Sequence, residues 1–225
     1  MTPTIVRTIP RADPDIVRRL GEAGVATVHE AQARTGLFRP YIRPVYAAAR
    51  AAGSAVTVLC APGDNLMIHA ALAVVQRGDL LVVTTTSESS DGMFGELLAA
   101  SCRACGVAGL VIDAGVRDSA ELTSMEFPVW SRTVSAQGTT KTLPGCVNVP
   151  IVCGGVAINP GDVVIGDADG VVTVPLASAT AVADAADQRL AREERTRQRL
   201  RSGELGLDIY GLRSVLAERG VVWRD

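Results

Sequence analysis

Aromatic side chains are scarce: two tryptophans, three tyrosines and three phenylalanines make up 4 % of 225 residues. A stacking platform for single-stranded nucleic acid is therefore missing, and the core has to be aliphatic. An excess of either charge is missing too. A net charge of -2 with the signs intermixed gives no field for a polyanion, which argues against nucleic acid as a partner. No apolar run approaches the ~18 residues of a membrane span, so no membrane partner is expected. Residues 1–11 have neither the apolar core nor the small-residue cleavage site of a signal peptide. A cytoplasmic protein is expected. The five cysteines are an odd number set in apolar stretches, which predicts buried, reduced thiols and not a disulfide framework.

What is present is an ordinary globular composition, 48 % apolar and 20 % charged, long enough for one large α/β domain. Helical spacing predicts helices over residues 14–24 and 25–34. The β-branched run GSAVTVLC predicts a strand over 53–60, followed by a turn at Pro62-Gly63-Asp64 and an amphipathic helix over 65–76. A buried strand over 79–86, a polar loop, a helix over 96–105 and a second buried strand over 107–113 form a strand–helix–strand unit. Such units make right-handed crossovers between parallel strands. Short strands are predicted at 128–132 and 149–153, and a hairpin over 162–174 around Asp169-Gly170. A long charged helix over 177–201 stops at Gly203. Residues 1–202 read as one domain, and 203–225 as an arm whose apolar residues must dock on the body or on another subunit.

The crossover has a chemical consequence. Residues 95–98 open a helix at the carboxyl edge of one strand, and Arg117-Asp118 leave the same edge of the next, the usual ligand crevice of such sheets. Gly95, Glu96, Leu97 and Leu98 offer backbone N–H groups and a positive dipole end to an anion. Arg117 can grip a carboxylate or enolate with a planar fork. Asp118 and Glu96 are hard oxygen donors suited to Mg²⁺ or Mn²⁺. A plainer reading has Asp118 as the cap of a helix over 119–122 and Glu96 as a dipole partner; on spacing alone the two readings stand about even. Cys102-x-x-Cys105 lacks a second ligand pair, Asp167-x-Asp169-Gly170 lacks the later glutamate of a calcium loop, and His69 reads as a packed helix residue.

Gly95-Glu96-Leu97-Leu98, then twenty intervening residues between Glu96 and Arg117, then Arg117-Asp118-x-x-Glu121 resembles the HMG/CHA aldolases of the RraA-like family. ATVHEAQARTGL, GDNLMIHAAL, GLVIDAGVRD, PGDVVIGDADGVV and ELGLDIYGLR extend the resemblance over nearly the whole chain. The resemblance implies a three-layer, swivelling-domain-like α/β fold with a central sheet and a C-terminal helical arm, assembled as trimers or hexamers. It implies Mg²⁺ or Mn²⁺ held directly by Asp118 and through water by Glu96, where many members carry Asp. It implies cleavage of a 4-hydroxy-2-oxo acid to pyruvate, with oxaloacetate decarboxylation as a side activity. Glu30 and Glu193 (or the adjoining Glu194) match acids supplied by a neighbouring subunit, and Lys141 and Asn65 match segments that reach the distal carboxylates. The competing expectation is a regulator that inhibits ribonuclease E by protein contact.

Overall fold

The structure, a computed structural model, describes residues 2–225. The chain opens with β1 (Thr4–Ile5), α1 (Pro14–Ala23) and α2 (Val25–Ala31). Pro14 sits in the first turn of α1, where a missing N–H costs nothing, and the Asp13 carboxylate accepts from the Asp15 amide at 2.8 Å. Gly24, at φ +82°, ends α1 and takes the chain into α2. Next come β2 (Arg43–Pro44), β3 (Ala51–Cys60), α3 (Leu66–Ala71), β4 (Leu80–Thr85), β5 (Gly92–Phe94), α4 (Glu96–Ala104) and β6 (Gly109–Val116). They are followed by α5 (Ser119–Ser124), β7 (Val129–Val134), β8 (Cys146–Val147), β9 (Ile151–Cys153), β10 (Val156–Ile158), β11 (Val163–Asp167) and β12 (Gly170–Val174). A 3₁₀ turn, Leu176–Ser178, leads into α6 (Ala179–Arg201), α7 (Gly206–Ile209) and α8 (Leu212–Glu218).

Ten strands form one mixed sheet in the order β1-β8-β3-β4-β6-β7-β2, with β5 on β6 and the β11–β12 hairpin joined to β3. The centre, β3-β4-β6-β7, is parallel. Both faces of these strands are covered, so their side chains alternate between two cores and not between core and solvent. Val56, Val58, Leu81, Val83, Leu110 and Ile112 enter one core, with Ile68 of α3 and Leu98, Ala99 and Cys102 of α4. Ala55, Leu80, Val82, Val111 and Trp130 enter the other, with Ile151, Cys153 and Ile158 of the separate β9–β10 hairpin. A third cluster packs α1, α2 and the start of α6 on β11 and β12. This is the three-layer α/β arrangement with a central sheet and a C-terminal helix.

Compact units divide within α6, one ending at Ala186 and the other comprising Asp187–Asp225. The second unit holds ion pairs of Arg199 with Glu204 and Arg213 with Asp208. It exposes Leu205, Tyr210, Val222 and Trp223.

Several boundaries differ from those expected. α3 stops at Ala71, because Ala73 and Val74 bond to the carbonyls three residues back and tighten the chain into turns. β6 runs on to Val116, drawn out by pairing with Thr133 and Val134 of β7 and with β5, which lies inside the expected polar loop. Of the five cysteines four are buried, but Cys105 is exposed at the end of α4. Burial pushes the Cys60 and Cys102 thiols up to about 12, so neither is a thiolate near neutrality. Among the described residues, no helix is long and apolar enough to cross a membrane.

Candidate active site

β4 and β6 are parallel neighbours, so α4 and the Arg117-Asp118 pair leave the same sheet edge, as the crossover predicts. β5 then fixes their spacing. The Arg117 amide donates to Phe94 O at 2.9 Å, tying the end of β6 to the residue before Gly95. Asp118 adopts the left-handed conformation, φ 54° and ψ 42°, and its side chain makes no cap bond to α5. The capping reading therefore fails. The carboxylate turns the other way, and its Oδ2 accepts from the Glu96 amide at 3.1 Å and lies 3.6 Å from Arg117 Nε. A non-glycine residue in that region is strained, and strain of this kind gathers at functional sites.

The helix opening is arranged around that carboxylate. The first N–H groups of a helix have no partner within it, and the first α4 bond onto the cap residue is Ala99 N to Gly95 O at 3.0 Å. Asp118 takes the Glu96 amide, leaving those of Leu97 and Leu98 for a ligand. Gly95 is needed for closeness: a Cβ there would lie 2.3 Å from Asp118 Oδ2 and 3.0 Å from Arg117 Cγ. Gly95→Ala is thus expected to push Asp118 and Arg117 apart and to lower ligand affinity at least tenfold while the parallel sheet survives. Isothermal titration with pyruvate and Mg²⁺, set beside a circular-dichroism melt, measures both; unchanged affinity would show that the close approach is dispensable.

A cleft of about 390 Å³, counting its open mouth, is lined by Asn65, His69, Leu97, Leu98, Arg117, Asp118 and Lys141, together with Gly92, Met93 and Gly95. Asn65, Lys141 and the Glu96–Asp118 unit therefore meet although they are far apart in sequence. Asn65 is buried; its Nδ2 donates to Met93 O at 3.0 Å, while Oδ1 is buried without a partner. Buried acceptors are rarely left so. Glu96 contributes its backbone to the site, and its side chain is not part of the lining.

His69 is exposed on the cleft wall, not packed, so the sequence reading missed it. Its pKa is lowered, first by desolvation and then by the charge of Lys141. Asp64 was missed as well. It is buried, and its carboxylate accepts from the amides of Leu66, Thr142 and Leu143 and from the hydroxyls of Thr140 and Thr142. Burial alone would raise its pKa, but the Thr142 and Leu66 amides, the Thr140 hydroxyl and the Leu143 amide outweigh it and hold the group well below the carboxylate range. The stability this adds is present above the ordinary carboxylate pKa and is lost only in strong acid, as pH falls through the depressed value. Asp64 stands in a turn motif, but the bonds that define it span more than seventy residues.

The expected partner acids are held in local ion pairs. Glu30 pairs with Arg34 at 2.9 Å at the end of α2. Glu193, in the second unit, pairs with Arg189 at 2.8 Å and shares a groove with Arg192 and Tyr210; Glu194 pairs with Arg197. Among the described residues no three acidic, histidine or cysteine side chains converge on one point. The donor set that Asp118 offers suits an ion that keeps most of its water. Mg²⁺ is such an ion, needing one or two carboxylates beside ligand oxygens.

Residues 22–173 match the family described as RraA-like: Aldolase/RraA. A Halalkalibacterium halodurans protein named as a candidate 4-hydroxy-4-methyl-2-oxoglutarate aldolase is 31 % identical over 169 residues, which is 75 % of this chain and 80 % of that one. A Streptomyces coelicolor protein, described as an unusual member of the RNase ES inhibitor RraA family, superposes with a TM-score of 0.76 at 28 % identity. The match covers 84 % of this chain and 99 % of that one. An uncharacterized Pseudomonas syringae protein shares the fold, with a TM-score of 0.78 at 24 % identity over 88 % of this chain and 97 % of that one.

Proposed function

This chain belongs to the RraA-like family, and from that premise we infer that it is a divalent-metal-dependent pyruvate aldolase, a carbon–carbon lyase acting on 4-hydroxy-2-oxo acids. The observation that carries the reading is Asp118: a strained carboxylate turned away from its own helix, beside Arg117 and the two open amides of α4. The preferred substrates are 4-hydroxy-4-methyl-2-oxoglutarate and 4-carboxy-4-hydroxy-2-oxoadipate. Oxaloacetate decarboxylation is a side activity, since it passes through the same enolate.

The pyruvyl end of the substrate lies against the Leu97 and Leu98 amides, with its carboxylate or keto oxygen gripped by Arg117. Lys141 faces a distal carboxylate. Asn65 Oδ1, the buried acceptor without a partner, receives a proton donor such as the 4-hydroxyl. Loss of the C4 hydroxyl proton to a base turns C4 into a carbonyl, the C3–C4 bond breaks, and its electron pair becomes a pyruvate enolate. Arg117 and the helix amides face the charge as it develops, and protonation at C3 releases pyruvate. A Mg²⁺ or Mn²⁺ ion held by Asp118, and through water by Glu96, would supply Lewis-acid stabilisation of that charge. We place the acids that complete the base system, Glu30 and Glu193, on a neighbouring subunit of a trimer or hexamer.

The competing reading is a protein-contact inhibitor of ribonuclease E. It is favoured by the likeness to the Streptomyces coelicolor protein and needs no metal. Pyruvate release from 4-carboxy-4-hydroxy-2-oxoadipate separates the two. Exhaustive chelation is expected to abolish release, and Mg²⁺ or Mn²⁺ to restore it. Undiminished turnover in excess EDTA, or a borohydride-trapped lysine adduct, would overturn the metal-dependent mechanism.

A further inference from the structure

Asp64 touches none of the space a substrate would occupy, yet the cleft is assembled around it. We propose that Asp64 is the positioning residue of the site: its buried carboxylate latches residues 140–143 onto residues 63–66, and so sets Lys141 opposite Asn65 and His69.

One oxygen faces the loop. Oδ2 accepts from Thr142 N at 2.6 Å, Thr140 Oγ1 at 2.7 Å, Leu143 N at 3.1 Å and Thr142 Oγ1 at 3.2 Å. The other faces the helix, with Oδ1 accepting from Leu66 N, at the start of α3, at 2.9 Å. A single carboxylate thus joins the loop carrying Lys141 to the helix carrying His69. The backbone adds a short parallel bridge, Asn65 N to Thr140 O at 3.0 Å and Thr140 N to Gly63 O at 2.9 Å.

Among the described residues, residues 140–143 bury no side chain in a core. Thr140, Lys141, Thr142 and Leu143 are all exposed. An exposed segment with no apolar anchor belongs to the most easily opened part of a fold, so its order depends on its hydrogen bonds. The acceptor also has to be a carboxylate. Asparagine offers one oxygen and turns an N–H₂ group toward either Leu66 N or the loop donors, setting donor against donor. The ionised form has acceptor sites on both oxygens, and the depressed pKa of Asp64 agrees with donors that favour that form.

The test compares wild type with Asp64→Asn, Lys141→Met and the milder Thr140→Val by NMR and by kinetics. The chain has only two histidines, so the His69 titration is readily followed. Lys141→Met removes a neighbouring positive charge and is expected to raise the His69 pKa. Asp64→Asn is expected to raise it too, because the loop carries Lys141 away; loss of the Asp64 charge alone would lower it. Hydrogen exchange at the Thr142 and Leu143 amides is expected to speed up at least tenfold. The kinetic arm rests on the aldolase reading. There KM for 4-carboxy-4-hydroxy-2-oxoadipate is expected to rise about tenfold in Asp64→Asn, with kcat within about threefold, since Lys141 holds ground state and transition state alike. A folded Asp64→Asn protein with wild-type exchange and wild-type His69 titration would overturn the latch. If that variant does not fold, unchanged exchange in Thr140→Val does the same. Absence of pyruvate release from wild type would instead remove the aldolase reading and leave exchange and titration to decide the latch.

Discussion

Arg117→Lys is expected to lower kcat by about 10²–10³ while leaving the melting temperature within a few degrees of wild type. Lysine keeps the charge, but it replaces a planar fork with a compact, strongly hydrated ammonium. Arg117 is nearly half exposed and, among the described residues, its one ion pair is the 3.6 Å contact to Asp118, so folding depends little on it. Asp118→Asn makes the comparison sharper. It keeps the shape and tolerates the left-handed backbone, but it removes the charge that would hold a cation. It is expected to lose metal affinity and turnover together, whereas Arg117→Lys loses turnover at near-normal metal affinity. Steady-state kinetics with Mn²⁺ binding measured in parallel resolves the two, and near-normal turnover in Arg117→Lys would make that residue structural only.

The parallel β4–α4–β6 unit could be read from the sequence because its signals are local: two buried aliphatic runs, an amphipathic helix between them and a glycine at its end. That reading also placed residues 95–98 and Arg117-Asp118 on one edge, which the strand pairing bears out. What escaped was set by distant contacts. Gly92 and Gly115 are poor strand formers, and they lie in strands only because β5, β6 and β7 pair there. The apolar spacing beyond Ala71 continues a helical pattern, but the chain tightens into turns. Asp64 read only as part of a turn, and His69 only as a packed helix residue. The role of Asp64 depends on Thr140, Thr142 and Leu143, and no pattern within one segment encodes such a pairing. The left-handed turn of Asp118 was equally hidden, since the same Asp-Ser-x-Glu string would serve for a helix cap.

Activity is expected to reappear when two dead proteins are mixed. Asp118→Asn lacks the carboxylate we assign to the metal, and Glu193→Ala lacks the acid we place on the neighbouring subunit. Dissociated and reassociated together, they form hybrid rings in which some interfaces join an intact Asp118 to an intact Glu193. With equal mixing and random assembly into cyclic trimers, each hybrid trimer regains about one site in three, and the whole mixture recovers roughly a quarter of wild-type activity. Glu193→Ala by itself should bind metal normally, because in this reading it acts on water and does not ligate the ion. Hybrid oligomers verified by native mass spectrometry yet lacking activity would place the whole site within one chain.

The conformation of Asp118 also sets chemistry against durability. At φ 54° the backbone would be more at ease with glycine, which adopts that region without steric cost. Relief of backbone strain at such a position can add to stability. Directed evolution of this chain under heat alone, with no demand for turnover, would therefore tend to discard the residue on which its proposed chemistry depends. A heat-hardened lineage that still carried aspartate at 118 would bear the mark of selection for something other than endurance.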